Sequence, residues 1–434
     1  MRILYAALLF MMMLVGAPAA LAAPQISVGL VTGQFTAELA SETDFTAQTV
    51  VNGSVRKEFL FKAGSYYFNA ANGSVNADGQ EFGNVVLRIK ADGVNPVKVN
   101  KKTYRGNIEV MLAPDRKNLI VRNVLPVDEY LYSVVGRTVP VYFPDEAIKA
   151  QAVAMRSYAL WLAENNNYYY DVRAGEKDYV YSGTDMEKRD INKLIDSTRG
   201  EVVLYGGRPA MALYTESSGG YTEDSADVYG EGFPKPYLKS VKDYDSDAPD
   251  YKWERSFDTQ NISSGLLRGG YDIGQIESIR LSPEKPGASD RTDTGRVVSV
   301  GFAGSKGNIV VPAAVVRELF SLPSTLFEIE VTRPIPKQLD VPIENYYGME
   351  IGRKEIEIEL KDKEKSENGI AGSIKLISGV DGEKVIFKGR GSGSGLGLSL
   401  WGARQLANDE GNTPGYYKNI LRYYYRNTVV TKIY

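Results

Sequence analysis

The chain has 434 residues, 43% hydrophobic and 24% charged, with a formal net charge of -3. That length carries two or three packed domains, and the near-balanced charge offers no concentrated basic face for nucleic acid. Cysteine and histidine are both absent, which excludes disulfides, zinc–thiolate and His-ligated metal sites, and Ser-His-Asp or Cys-His machinery; any acid–base chemistry must come from Asp, Glu, Lys or Tyr.

The N-terminus reads as an export signal. Met1 and Arg2 give a short positive start, Ile3 to Val15 is almost wholly apolar, and Ala20-Leu21-Ala22 offers a small-residue cleavage site. A signal peptide over 1–23 is expected, with the mature chain beginning near Ala23 or Pro24; an uncleaved anchor is the lesser reading because the run is short for a bilayer span. The expected location is therefore the cell envelope: the outer face of the membrane, the wall or the periplasm.

Residues 24–122 read as a β module, with strand-type runs at 26–31, 58–61, 84–89 and 108–112 separated by Gly, Asn and Asp. A core segment over 123–249 follows. It holds the strongest helix signal in the chain, 144–163. Pro144 suits its first position, Asp145 and Glu146 suit the positive end of its dipole, and Ile148, Ala152, Met155, Ala159 and Leu162 recur on one face. Strands are expected at 201–205 and 210–214, then a loop at 215–223.

A small inserted subdomain is expected over 250–330, with strands at 296–302 and 309–311 and a helix at 312–320. The remainder, 331–434, opens with a half-exposed strand at 354–360 and a charged turn at 362–368. It then carries a glycine-rich stretch, GRGSGSGLGLSLWGARQLA, from Gly389 to Ala407, and helices at 400–407 and 416–425. Glycine lets backbone come very close to a neighbour. No strand–GxGxxG–helix unit surrounds this loop, so a nucleotide reading is poor, and no cofactor is indicated. The class is α+β. Twenty-nine tyrosines suit the flat apolar faces of sugars, although most fit strand positions.

Several of these segments resemble the SpoIID/LytB family, stage II sporulation protein D and the amidase enhancers. LPVDEYLYSVV (125–135) is similar to the family's entry motif and DEAIKAQAVAMRSYA (145–159) to its signature helix. SSGGYTE (217–223) with PYLKSV (236–241) resembles its SSGGxTE loop and following strand, and the glycine stretch resembles its GxGHGxGMSQxGA loop. Tyr104-Arg105-Gly106 and LPSTLF (322–327) add to the likeness. The resemblance implies action on peptidoglycan glycan strands. It implies a lytic transglycosylase in which one glutamate protonates the glycosidic oxygen and then draws the proton from the C6 hydroxyl, closing a 1,6-anhydro ring. Implied partners are a cell-wall amidase or sporulation engulfment proteins.

The chain departs from that pattern where the chemistry lies. The family's glutamate stands in a Glu-Met-Pro turn before the signature helix; here the turn is Arg-Thr-Val-Pro (137–140), so Thr138 holds the acid position. The family's two loop histidines become Thr215 and Ser394, and its glutamine becomes Leu400. The expectation is a degenerate transglycosylase, a glycan binder or amidase enhancer without a catalytic residue. The alternative is an active enzyme with a relocated carboxylate, Glu216 first and Glu146 second.

Expected glycan contacts are Thr138, Gln151, Arg156, Thr215, Glu216, Ser217, Ser218, Gly219, Gly220, Glu223 and Ser394. Each has a bland counterpart. Glu146 reads rather as a first-turn carboxylate paired with Lys149 and Glu223 as a cap of the SSGG turn, Gln151 and Arg156 read equally as anchors of that loop, and Tyr158 and Trp401 read as core rather than stacking platforms.

Overall fold

The structure is a computed structural model that describes residues 22–91, 96–166, 168–175, 180–229, 235–284, 288–333, 338–357 and 374–434. The expected signal peptide as far as Leu21, residues 358–360 of the strand expected at 354–360, and the turn expected at 362–368 lie outside these residues. Among the described residues no helix is long and apolar enough to cross a membrane. The fold is α+β with a β-rich N-terminal region, as the sequence predicts. It divides into two compact units: Met1–Leu213 with Glu410–Arg422 and Asn427–Tyr434, and Tyr214–Asp409 with Tyr423–Arg426.

The first unit opens with twelve strands: β1 (Gln25–Gln34), β2 (Thr36–Ser41), β3 (Phe45–Val51), β4 (Ser54–Phe61), β5 (Gly64–Ala71), β6 (Ser74–Ala77), β7 (Gln80–Gly83), β8 (Val86–Ala91), β9 (Lys98–Val99), β10 (Lys102–Thr103), β11 (Asn107–Leu112) and β12 (Leu119–Pro126). Three of the hairpins turn on Asn52-Gly53, Asn72-Gly73 and Asp78-Gly79, both residues of each pair having positive φ. That geometry matches the right-handed twist of the flanking strands. With β13 (Val172–Arg173) the strands form a seven-stranded sheet, β13-β1-β12-β11-β8-β3-β4, and a six-stranded sheet, β10-β9-β2-β5-β6-β7. Aromatic rings join the two: Tyr66 meets Phe61 edge-on at 4.9 Å, and Phe82 meets Phe59 at 5.0 Å.

Strand β12 runs through the boundary expected at 122/123 and passes directly into helix α1 (Val127–Thr138), with Pro126 at the N-cap. Helix α2 (Asp145–Asn165) follows, then α3 (Arg189–Ser197), β14 (Glu201–Tyr205) and β15 (Arg208–Pro209). From the C-terminal end of the chain, helix α8 (Tyr417–Tyr424) begins in this unit, and β27 (Val429–Lys432) pairs antiparallel with β14. The sequence predicts one apolar face for α2. The structure buries it nearly all round, from Glu146 to Leu160, and leaves Leu162 half-buried. A run of alanines makes this possible, since small side chains let neighbours approach every face.

Arg156 is among those buried residues. Its Nε donates to Asp128 Oδ1 at 2.8 Å, Nη1 to the Glu201 carbonyl at 3.0 Å, and Nη2 to the Ile195 carbonyl at 3.2 Å. Tyr434 Oη donates to the other Asp128 oxygen at 3.0 Å. One guanidinium thus ties α1, α2, α3 and β14 together.

The second unit contains β16 (Tyr214–Thr215), α4 (Ser225–Tyr229), β17 (Lys252–Asp258), α5 (Thr259–Arg268), β18 (Ile276–Arg280), β19 (Ser299–Gly304), β20 (Gly307–Pro312), α6 (Ala313–Leu319), β21 (Phe327–Thr332), the hairpin β22 (Gln338–Glu344) and β23 (Glu350–Glu357), β24 (Ile374–Leu376), β25 (Lys384–Arg390), β26 (Leu398–Ser399) and α7 (Leu400–Asp409). Sheets β17-β25-β21 and β20-β19-β18-β24 enclose its core with α5 and α6. Phe387 on β25 lies 5.8 Å from Phe320 and 5.4 Å from Phe327. Because β25 pairs with both β17 and β21, one sheet spans the boundary expected at 330/331.

Removing Asp128 strips a fully buried guanidinium of its counter-ion. Asp128→Ala is expected to cost about 3–5 kcal/mol, read as a lowered urea midpoint, whereas Lys193→Ala, at an exposed pair on α3, is expected to change stability by less than about 1 kcal/mol.

Candidate functional site

The expected site residues divide between the two units. In the first, Thr138 is the last residue of α1. It is half-buried, and its Oγ1 donates to the Val134 carbonyl at 2.7 Å. The hydroxyl is folded back onto its own helix, a bond that hydroxyl residues make readily in a last turn. Glu146, 1% exposed, uses both oxygens: Oε1 accepts from Lys149 Nζ at 2.7 Å and Oε2 from the Tyr417 amide at 3.0 Å. The pairing with Lys149 that the sequence suggests is present. The Tyr417 contact, 271 residues away, needed the fold to reveal it.

Gln151 is fully buried, with neither amide atom hydrogen-bonded among the described residues. Arg156 is fully buried with its donors committed as above, so its reading as a sugar contact or an SSGG-loop anchor gives way to a structural role inside the first unit. Elements α1, α3 and β14 compete for the guanidinium and win it through geometry.

In the second unit the SSGG loop and the glycine stretch interlock. Ser217 and Ser392 exchange backbone bonds, at 3.0 and 2.8 Å, and β16 pairs parallel with β26. Thr215 Oγ1 donates to the Ser392 carbonyl at 2.8 Å and accepts from the Gly395 amide at 3.2 Å; the Glu223 amide donates to the Gly395 carbonyl at 2.8 Å. The glycines are required by this closure. At Gly391, φ is 73° and a Cβ would stand 2.7 Å from the Ser217 carbonyl oxygen; at Gly395, φ is 79° and a Cβ would stand 2.5 Å from the Arg296 guanidinium. The close approach expected of this loop is therefore to the protein's own SSGG turn.

Beneath the turn lie two carboxylates that sequence reading passed over. Asp245 Oδ2 accepts from Ser217 Oγ at 2.5 Å and from the Gly219 amide at 2.8 Å. Asp243 Oδ2 accepts from Ser218 Oγ at 2.6 Å and Oδ1 from Tyr424 Oη at 2.7 Å. Asp243 and Asp245 are 5% and 1% exposed, Ser217 and Ser218 not at all. The alternation in KDYDSD after PYLKSV places Asp243 and Asp245 on one side of an extended segment, a signal readable without the fold. Burial first, and the charge of Asp245 second, push the Asp243 carboxyl above its ordinary range.

Glu223 is likewise pushed up by burial, which outweighs the pull of Arg296. It forms an ion pair with Arg296 Nε at 3.1 Å and accepts from Thr294 Oγ1. Arg296 in turn donates to the Ser218 carbonyl at 2.6 Å and the Gly393 carbonyl at 3.3 Å. So Glu223 holds the turn through an arginine rather than by capping it. Leu400 and Trp401 are buried.

What remains open to solvent is small: Glu216 and Ser394 are exposed, Gly220 half-buried, and Tyr221 and Tyr244 carry exposed rings. Glu216 Oε2 accepts from Ser392 Oγ at 2.8 Å. Among the described residues no group of three or more Asp or Glu is placed to hold a metal ion.

The buried aspartates set a pH test. A carboxyl raised in the folded state favours its protonated form there, so its contribution to stability is complete below the unfolded value and lost as pH rises through the folded one. The stability of Asp243→Asn relative to wild type is therefore expected to improve as pH rises above the ordinary carboxylate range; a constant difference across parallel urea titrations would contradict this.

Comparison with known proteins bears on this arrangement. Residues 115–205, covering α1, α2, α3 and β14, match the family described as stage II sporulation protein, SpoIID. The chain is 25% identical over 332 residues to an uncharacterized protein of Brachyspira hyodysenteriae, covering 75% of this chain and 72% of that one. It is 24% identical over 411 residues to the amidase enhancer of Bacillus subtilis, covering 91% and 54%, and 29% identical over 179 residues to stage II sporulation protein D of the same organism, covering 37% and 51%. The chain thus spans about half the length of those two relatives. It carries a SpoIID domain and is a relative of stage II sporulation protein D and the amidase enhancers.

Proposed function

We propose that the chain is exported to the cell envelope and there engages peptidoglycan glycan strands without cutting them, as a SpoIID-domain binder or an enhancer of a cell-wall amidase. A role in the cell wall or sporulation accords with the names of its relatives. The observation that carries the non-cleaving part is Thr138. The family reaction asks one carboxyl to give a proton to the leaving oxygen and take another from the C6 hydroxyl. A threonine hydroxyl is far too weak an acid for the first step, and this one is already bonded to its own helix.

The substitutes fare unequally. Glu146 has both oxygens occupied inside the first unit. Glu223 is shut away with Arg296. Glu216 is exposed on the SSGG loop, which keeps an active transglycosylase as the second reading, but Ser392 treats it as an acceptor.

The test is product chemistry on sacculi and on strands stripped of peptide. Co-sedimentation without release of 1,6-anhydro ends by mass spectrometry is expected, together with faster turnover by an added cell-wall amidase if the enhancer role holds. Thr138→Ala is expected to keep sacculus binding within about twofold. Release of anhydro ends that Glu216→Gln abolishes would establish the second reading instead, and failure to sediment with sacculi would remove both.

A further inference from the structure

The first unit holds a cavity of about 510 Å³ between the β3–β4 turn, the start of β8, the β11–β12 turn and Tyr169. None of its lining residues is among those expected from the family resemblance. Its floor is apolar, formed by Val86 and Met111, which pack in one hydrophobic cluster. Its rim carries three exposed polar side chains, Asn52, Asn84 and Arg116, and none has a hydrogen-bond or ion-pair partner among the described residues.

Arg116 is the informative one. It sits in the β11–β12 turn with φ of 54°, a left-handed conformation that glycine or asparagine adopts at less cost. The neighbouring Asp115 forms no ion pair with it; its oxygens accept from the Lys117 and Asn118 amides and from Asn118 Nδ2. Asn52 is explained by its hairpin turn; Arg116 and Asn84 are not.

Tyr169 supplies the wall, 46% exposed. Its backbone is fixed: Arg122 Nη1 donates to the Tyr169 carbonyl at 2.5 Å, while Arg122 Nε and Nη2 grip Glu109 Oε2 at 3.0 and 2.8 Å. Glu109 is 4% exposed and also receives Arg88 at 3.0 Å. The ring is thus carried on a backbone held by a buried charge network rather than on a free loop.

An apolar floor, an aromatic wall, two neutral amides and a guanidinium with no ion-pair partner among the described residues suit one ligand chemistry. We propose that this cavity binds a saccharide carrying a free carboxylate. The ring's C–H face lies against Tyr169 and the floor, its hydroxyls bond to Asn52 and Asn84, and its carboxylate pairs with Arg116. Two sources share that chemistry: a muramyl sugar with a free lactyl acid and a uronic acid. The site stands apart from the reading above, because a glycan strand could be held elsewhere on the chain while this cavity stays empty, or the reverse.

The test is calorimetric titration of the full chain with three disaccharides: N-acetylglucosaminyl-N-acetylmuramic acid, a glucuronic-acid disaccharide and neutral N,N′-diacetylchitobiose, called chitobiose below. Preference for either acidic ligand over chitobiose by about tenfold supports the proposal and identifies the source. Arg116→Gln is expected to reduce acidic binding to the neutral level without changing chitobiose binding. Tyr169→Ala is expected to abolish binding of all three and Tyr169→Phe to retain it. Equal affinity for acidic and neutral sugars, no binding of any, or acidic binding unchanged within twofold in Arg116→Gln and Tyr169→Ala overturns it. Because the ligands are short and soluble, this outcome is independent of whether the chain sediments with sacculi.

Discussion

Two buried carboxylates under one turn impose most of the order in the second unit. Asp243 and Asp245 cannot be taken from water without donors to meet them, and the SSGG turn provides these through Ser217, Ser218 and the Gly219 amide. The turn's carbonyls find donors on several sides: Glu216 and Ser217 accept from the Trp401 and Ser392 amides of the glycine stretch, and Gly220 accepts from the Asp243 amide. Arg296 locks the pair by donating to one carbonyl in each loop while Glu223 balances its charge. Serines, aspartates and glycines far apart in sequence answer a single requirement, that the buried carboxylates of Asp243 and Asp245 meet donors.

That requirement changes what the motifs mean. Ser217, Ser218, Thr215 and Glu223 have the look of binding residues when written as a string, yet in the structure each spends its polar atoms on its own unit. At the two loop positions where the family resemblance implies histidine, Thr215 fills a buried place with a hydroxyl that both donates to Ser392 and accepts from Gly395, while Ser394 is exposed. The bonds that hold this loop framework are made by the framework's own residues.

In the first unit a comparable tie is made by one cation. Arg156 on α2 reaches α1, α3 and β14, and the small residues of α2 let those elements close in. The same unit leaves other groups unanswered at its surface, Arg116 among them.

The sequence by itself determined the class and most elements. Alternation and Asn-Gly or Asp-Gly pairs announce the hairpins of the β module, and Pro144 with a long alanine-rich period announces α2, because such signals act over a few residues. It also fixed the negative chemistry, since a chain without histidine or cysteine cannot make their sites in any fold. Tertiary structure alone decided burial and partnership: that α2 is enclosed on all faces, that Glu146 meets Tyr417, that Asp243 and Asp245 lie beneath the SSGG turn, and that the glycine stretch closes on that turn. Those pairings join residues up to 271 positions apart, and no local pattern encodes which distant donor will satisfy a buried acceptor.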